Sequence, residues 1–407
     1  MGGDSSKGVG RRQFLTGATA AVALGSASVV PGRAQETGSP AAREGKKTGR
    51  RRLPLWCDRG GLINPTQASD EAQVREFVQK CVDHGVTTLL PWNGTEILSR
   101  VAHEHGLEVQ PYLAFNNHGE NEVRYAWSVN FIGPAPGTPE GEEILDHHRP
   151  IWSHRREELD LTDFARENPS FWCRDRRGDD SLRPGQRLSL SLVHPEVRAW
   201  EIDAYLDLFR KSGGDGIQVE FISVDQDDRQ AAIYGYEGPM VAAFEREHGR
   251  SPVDLANDEP EWLRFRASYV TKTLRELHRR VKKERPQAVV SIAVIARPAD
   301  EYMKVLLDWP AWVKEGLVDE FYLWFRTASD GAALEERVEH AAMEIGGRCP
   351  LVVELSCYHP GSYQDPKVMT DMARRAKASG ADAVGIYRSH AVDQLGFWPV
   401  LEAIGNL

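Results

Sequence analysis

From Leu53 onward, apolar and polar positions repeat one unit. A helix-like stretch ends at Gly, and two or three residues later a short apolar or alternating run begins. His84-Gly85-Val86, His105-Gly106-Leu107, Gly213-Gly214-Asp215, Glu315-Gly316-Leu317 and Ser379-Gly380-Ala381 mark such junctions. Gly there supplies the left-handed turn that ends a helix. The runs predict eight strands: Leu53–Asp58, Thr87–Trp92, Glu108–Phe115, Gly216–Phe221, Val289–Ile295, Glu320–Phe325, Leu351–Ser356 and Ala383–Arg388. Helix starts lie between them at Ser69-Asp70-Glu71, Pro195-Glu196 and Asp365-Pro366. Glu261–Lys283 carries apolar residues at helical spacing, from Trp262 and Phe265 to Leu277 and Val281.

Eight strand–helix units predict an α/β fold, a single (β/α)8 TIM barrel. No Gly-rich phosphate fingerprint follows the first strand, which argues against a doubly wound sheet. Two intervals are too long for a simple unit: Asn116–His194 after the third strand, and Ile222–Pro260 after the fourth, with a short helix near Met240–Glu247. Both follow the C-terminal end of a strand, the face on which barrel enzymes carry their active sites, so both are expected to shape a cleft.

Ahead of the barrel, Gly10-Arg11-Arg12-Gln13-Phe14-Leu15 and the mild apolar run Leu15–Val30 look like a twin-arginine export signal. The run is shorter than the roughly 20 residues a membrane span needs, and Gly and Ser dilute it, so no stable membrane anchor is expected. The organisation follows: 1–34 signal peptide, 35–52 disordered linker, 53–407 barrel. A chain exported in this way engages the twin-arginine machinery and works in the periplasm or outside the cell.

Composition adds limits. The 407 residues are 41% hydrophobic and 27% charged, enough for a large core. A net charge of −10 argues against nucleic acid as a partner. Five scattered cysteines show neither zinc spacing nor a disulfide framework. No cofactor or metal is expected. His103-x-His105 belongs to an outer helix end, and His147-His148 lacks carboxylates at ligand spacing.

The candidate chemistry centres on Asp215-Gly-Ile-Gln-Val-Glu220-Phe-Ile-Ser. Ile217, Val219 and Phe221 alternate with Gln218 and Glu220, so both polar side chains share one face. A carboxylate at the inner end of a parallel strand is costly unless paired or used. Glu354 lies near the end of the seventh strand, in Leu351-Val-Val-Glu354-Leu-Ser356. Two carboxyl groups across one bond are what glycoside hydrolysis needs. Asp58, after the first strand, and Asp225, after the fourth, are alternatives for the second carboxylate. A structural ion pair of Glu220 with Arg297, Arg326 or Arg388 is the competing explanation. Other strand ends supply groups suited to sugar hydroxyls and ring faces: Asp58, Trp92, Asn93, Asn116, Asn117, His118, Gln218, Arg297, Trp324, Arg326, Tyr358, Tyr387, Arg388 and His390. Trp127, Trp152 and Trp172 in the first insertion could form outer subsites.

Several segments resemble the glycosyl hydrolase-like family 10 group of bacterial barrel proteins. They are Leu190-Ser-Leu-Val-His-Pro-Glu196-Val-Arg198, Asp215-Gly216-Ile217 with Glu220, and Tyr234-Gly-Tyr236 with the helix of Phe244. Trp262-Leu-Arg-Phe-Arg266 and Asp308-Trp309 leading to Glu315-Gly-Leu-Val-Asp319 complete the set. The family pattern usually has Asp where this chain has Glu220. The resemblance implies a barrel hydrolase acting on carbohydrate. Carboxylates on strands four and seven also look like the placement in the clan of retaining barrel glycosidases, which implies Glu220 as acid/base and Glu354 as nucleophile. A glycan-binding barrel without catalysis, and a metal-dependent sugar lyase or isomerase, are the alternatives.

Overall fold

The computed structural model describes residues 52–57, 70–116, 119–120, 160–179, 188–221, 233–327, 330–358 and 361–407. The chain divides into two units, Met1–Glu44 and Gly45–Leu407, and every described residue lies in the second. The expected signal and residues 35–51 of the expected linker fall outside the described residues.

The strands are β1 (Pro54–Cys57), β2 (Thr88–Pro91), β3 (Glu108–Val109) and β4 (Tyr112–Ala114). A small antiparallel pair follows in the first insertion, β5 (Gly119–Glu120) with β6 (Asp160–Leu161). Then come β7 (Gly216–Phe221), β8 (Val289–Ile295), β9 (Glu320–Phe325), β10 (Leu351–Ser356) and β11 (Ala383–Tyr387). Nine of these form one parallel sheet in the order β3-β2-β1-β11-β10-β9-β8-β7-β4. β3 and β4 are two halves of the stave expected at Glu108–Phe115. One half pairs with β2 and the other with β7, so the sheet curls round on itself as a (β/α)8 barrel. The break falls at Gln110-Pro111, where proline has no N–H to give. Gln110 N donating to Leu89 O (2.9 Å) and Gln218 N donating to Pro111 O (3.0 Å) carry the ladder across it.

Helices cover the outside, so each strand is buried on both faces and reads as an apolar run; all six residues of β9 and of β10 are buried. The capping signals hold at the helix ends. Asp70 accepts from Ala72 N (2.9 Å), and Asp365 accepts from Lys367 N (2.7 Å) and Val368 N (3.2 Å). Gly213, with φ 67°, ends the helix Pro195–Ser212. The second insertion holds the helix Gly238–His248, whose Met240 and Phe244 pack with Tyr236, Trp262 and Phe265 in a small core of their own. Among the described residues no helix is long and apolar enough to cross a membrane. All five cysteines are buried and free.

Register fixes the height of every inward side chain. Glu220 lies beside Ala293, then Tyr322, then Val352 and Ala383. Extending the same offsets through β1 and β2 returns to the third stave at Gly106, eight residues before Ala114, the other partner of Glu220. That is the shear of a (β/α)8 barrel, and it makes alternate staves fill alternate layers. The upper layer holds Trp92, Glu220, Trp324 and Tyr387. The next layer down holds Trp56, Tyr112, Ala293 and Glu354. Below it lie Leu90, Gln218, Tyr322 and Gly385. Ring contacts follow this order: Trp324 and Tyr387 are 5.0 Å apart, Trp92 and Tyr112 5.2 Å, and Trp56 and Tyr322 5.3 Å.

Gly385 is required by this packing. A Cβ there would stand 2.8 Å from the Trp56 ring and 2.7 Å from Pro54 O, so the tryptophan fills the barrel only because β11 offers no side chain at that point. The N-terminal end of the barrel is closed by polar groups. Arg52 clasps both carboxylate oxygens of Glu320, which also accepts from Gln110 Nε2 (3.0 Å) and the Tyr322 hydroxyl (3.0 Å). Ser291 Oγ donates to Gln110 Oε1 (2.7 Å). Arg52, expected in the linker, is therefore part of the barrel.

Candidate functional site

Glu220 reaches the upper layer because β7 alternates: Ile217 and Val219 face the helices, while Gln218 and Glu220 face inward. It is 4% exposed. Glu354 is 1% exposed, one layer lower, and its Oε2 accepts no hydrogen bond among the described residues. Burial first, and the charge of Glu220 second, hold the Glu354 carboxyl well above the usual carboxylate range. Glu354 therefore senses the charge of Glu220 across the barrel interior.

Two tyrosines sense the same charge. Burial first and Glu220 second hold the Tyr112 phenol well above its ordinary value; Tyr387 opposes them, and Glu354 adds a smaller push upward. Tyr387 is raised by burial first, then by Tyr112, Glu220 and Glu354. Arg388 Nη2 donates to the Tyr387 hydroxyl (2.8 Å), and its guanidinium carbon lies 4.0 Å from the Tyr358 ring centre. Burial lowers the pKa of Arg388, and His390 is pushed down to about 4 by burial first and by Arg388 second. His390 lies 4.8 Å from the Tyr358 ring. The imidazole is thus neutral at pH 7 and serves as a polar, uncharged wall.

The structure brings Glu220, Glu354, Trp92, Trp324, Tyr358, Tyr387, Arg388 and His390 to one end of the barrel. Asn93 is exposed there, with φ 53°, a conformation asparagine tolerates better than most residues. Arg297 is buried after β8, where its N–H donates to the Tyr302 hydroxyl (3.1 Å), and Arg326 is half-buried after β9.

Two expected contacts with substrate have other work. Gln218 is fully buried two layers below Glu220, and its Oε1 accepts from Trp56 Nε1 (2.9 Å). Asn116 is 2% exposed, and its amide binds the Leu190 backbone in both directions, Nδ2 to O at 2.9 Å and N to Oδ1 at 3.0 Å. It ties the returning first insertion to the end of its stave. Trp172 likewise packs the insertion, donating to Ala165 O (2.8 Å). Asp58, Asn117, His118, Asp225, Trp127, Trp152, His147 and His148 lie outside the described residues. His103 Nε2 lies 2.9 Å from Asp215 Oδ2 on the outer ring, the surface place its helix predicts. Trp56 and Tyr112 were not anticipated in the site. The alternation of Gln110, Tyr112 and Ala114 would have found the second.

Among the described residues no three His, Cys, Asp or Glu side chains gather as a metal site.

Residues 154–348 match the family described as Glycosyl hydrolase-like 10, a little under half of the chain. The whole barrel is similar to the PgaB (BpsB) glycoside hydrolase domain from Bordetella bronchiseptica: 15% identity, TM-score 0.53, 86% of this chain and 99% of that one. The barrel has a glycoside-hydrolase-like fold. A β-galactosidase from Marinomonas ef1 is also similar, at 11% identity and TM-score 0.53, over 83% of this chain and 54% of that one, so this chain spans about half of that enzyme. At these identities the likeness is one of fold. A sequence search among curated proteins finds no match.

Part of the motif set within the matched region builds the scaffold of this glycoside-hydrolase-like barrel. Arg266 donates to Tyr234 O and lies 5.0 Å from the Trp262 ring centre. Gly235, with φ 98°, lets the chain pass over it, since a Cβ there would meet the Arg266 side chain at 2.7 Å. Tyr234-Gly-Tyr236 and Trp262–Arg266 thus hold the described part of the second insertion beside the barrel.

Proposed function

We propose that this chain hydrolyses O-glycosidic bonds of a poly- or oligosaccharide, with Glu220 as the reacting carboxyl group. The observation that carries this reading is the coupled pair. Glu220 stands in the upper layer at the C-terminal end of the fourth stave, where such barrels keep their chemistry, with Glu354 beneath it and Trp92, Trp324 and Tyr387 alongside. Aromatic faces suit the C–H faces of sugar rings, and Asn93 and Arg326 at the rim suit hydroxyls. Polysaccharides and aryl glycosides, assayed with and without chelator, test it. Hydrolysis that resists the chelator is the expected result. Binding without turnover would favour a glycan-binding barrel, and activity lost to chelator a metal-dependent sugar lyase or isomerase.

We also propose that the protein is exported, on the strength of Arg11-Arg12 and the apolar run after them. Fractionation of cells expressing the full chain should place it outside the cytoplasm, and Arg11→Lys with Arg12→Lys should retain it inside. Export unaffected by the double change would exclude the twin-arginine route.

A further inference from the structure

We propose that Glu354 is a positioning residue and not a nucleophile: a carboxylic acid sealed one layer beneath Glu220, fixing Glu220 as the charged member of the pair. This rests on the reading of Glu220 as the reacting group.

Depth is the first reason. The shear places Glu354 about 3 Å lower along the barrel axis than Glu220. Its register neighbours are Trp324 on β9 and Gly385 on β11, and the layer of Trp92, Glu220, Trp324 and Tyr387 lies above it. At 1% exposure, Glu354 is out of reach of an anomeric carbon resting on that layer. Surroundings are the second reason. Among the described residues, the titratable groups that face it are Glu220 from β7, Tyr112 from β4 and Tyr387 from β11, none of them a cation. Arg388 directs Nη2 to the Tyr387 hydroxyl, and His390 stays neutral beyond it. An ionised carboxylate with an oxygen that accepts nothing, beside a second carboxylate, is strongly disfavoured. Raised by burial and by Glu220, Glu354 keeps its proton, and the single charge resides on Glu220.

Three measurements on the full chain test this. In protein labelled with ¹³C at glutamate carboxyls, one resonance should still be at the protonated shift at a pH where ordinary glutamates have ionised, and should vanish in Glu354→Gln; a Glu354 signal that titrates near its ordinary value of about 4.3 overturns the proposal. Stability supplies a second readout. Unfolded Glu354 ionises above about pH 4.3 while the native residue holds its proton, so wild-type stability falls as pH rises through that window. Glu354→Gln has no proton to lose, so its melting temperature relative to wild type should climb as pH rises above about 4.3. A constant difference overturns the proposal. Kinetics give the third. Glu354→Gln, which keeps that depth of the barrel neutral, should change kcat/KM by no more than about tenfold, as expected of a residue that does not touch the reacting atoms. A loss of about 10³-fold or more, restored by azide, makes Glu354 the nucleophile and leaves the hydrolase reading intact. If wild type cleaves no glycoside, that reading falls, and the carboxyl spectrum still decides where the proton resides.

Discussion

Replacing Glu220 with glutamine is expected to lower kcat/KM on a cleavable glycoside by about 10³-fold, the scale of losing a positioned acid, base or nucleophile. Glutamine has the same shape, so Trp324 and Tyr387 keep their packing and the circular dichroism spectrum should not change. The substitution removes the negative charge and the transferable proton together. Substrate affinity should therefore hold within a few-fold while kcat falls, the pattern of an interaction made mainly in the transition state. A purely structural Glu220 gives a different result. If its role were to neutralise a buried arginine, glutamine would lower the melting temperature by several degrees, and activity would fall only as far as the protein unfolds. Initial rates and thermal unfolding on the same preparation separate the two. A loss of less than about tenfold in kcat/KM removes Glu220 from the reaction.

Much of the barrel was legible because parallel strands under helices must be apolar on both faces. Val289–Ile295, Glu320–Phe325 and Leu351–Ser356 have the bounds their hydrophobic runs predict. The split in the third stave was written in Pro111, but a hydrophobic run conceals a missing donor. Layer height was not legible at all. Alternation says that Gln218, Glu220 and Glu354 face inward; it does not say how deep. Depth follows from shear, which is set by pairings between segments far apart in the chain. That is why Gln218, two residues from Glu220, is a buried partner of Trp56, and why Glu354 lies one layer lower than Glu220. Asn116 shows a third limit. An asparagine at a strand end is equally suited to a ligand or to a neighbouring backbone, and only the returning segment at Leu190 distinguishes them.

At the opposite end of the barrel, Glu320→Ala is expected to destabilise the protein by about 3–5 kcal/mol, measured by urea unfolding, the cost of stranding a buried partner. Arg52 is 20% exposed in its side chain and Glu320 8%. Removing the carboxylate strands the guanidinium and leaves the Gln110 amide and the Tyr322 hydroxyl without their acceptor. Glu108, 3.7 Å from Arg52 and 48% exposed, is too wet to replace it. Because the penalty arises from one abandoned charge, replacing both partners by apolar residues of similar size, Arg52→Met with Glu320→Leu, should recover most of the loss. Folded molecules of Glu320→Ala should keep wild-type kcat, since the change lies at the far end of the barrel from Glu220. A single-variant loss below about 1 kcal/mol would reduce the Arg52–Glu320 contact to a surface pair. A double variant as unstable as the single would place the cost in the packing of Tyr322 and Gln110. The result expected here makes Arg52, the last residue of a chemically nondescript basic run, a structural member of the barrel.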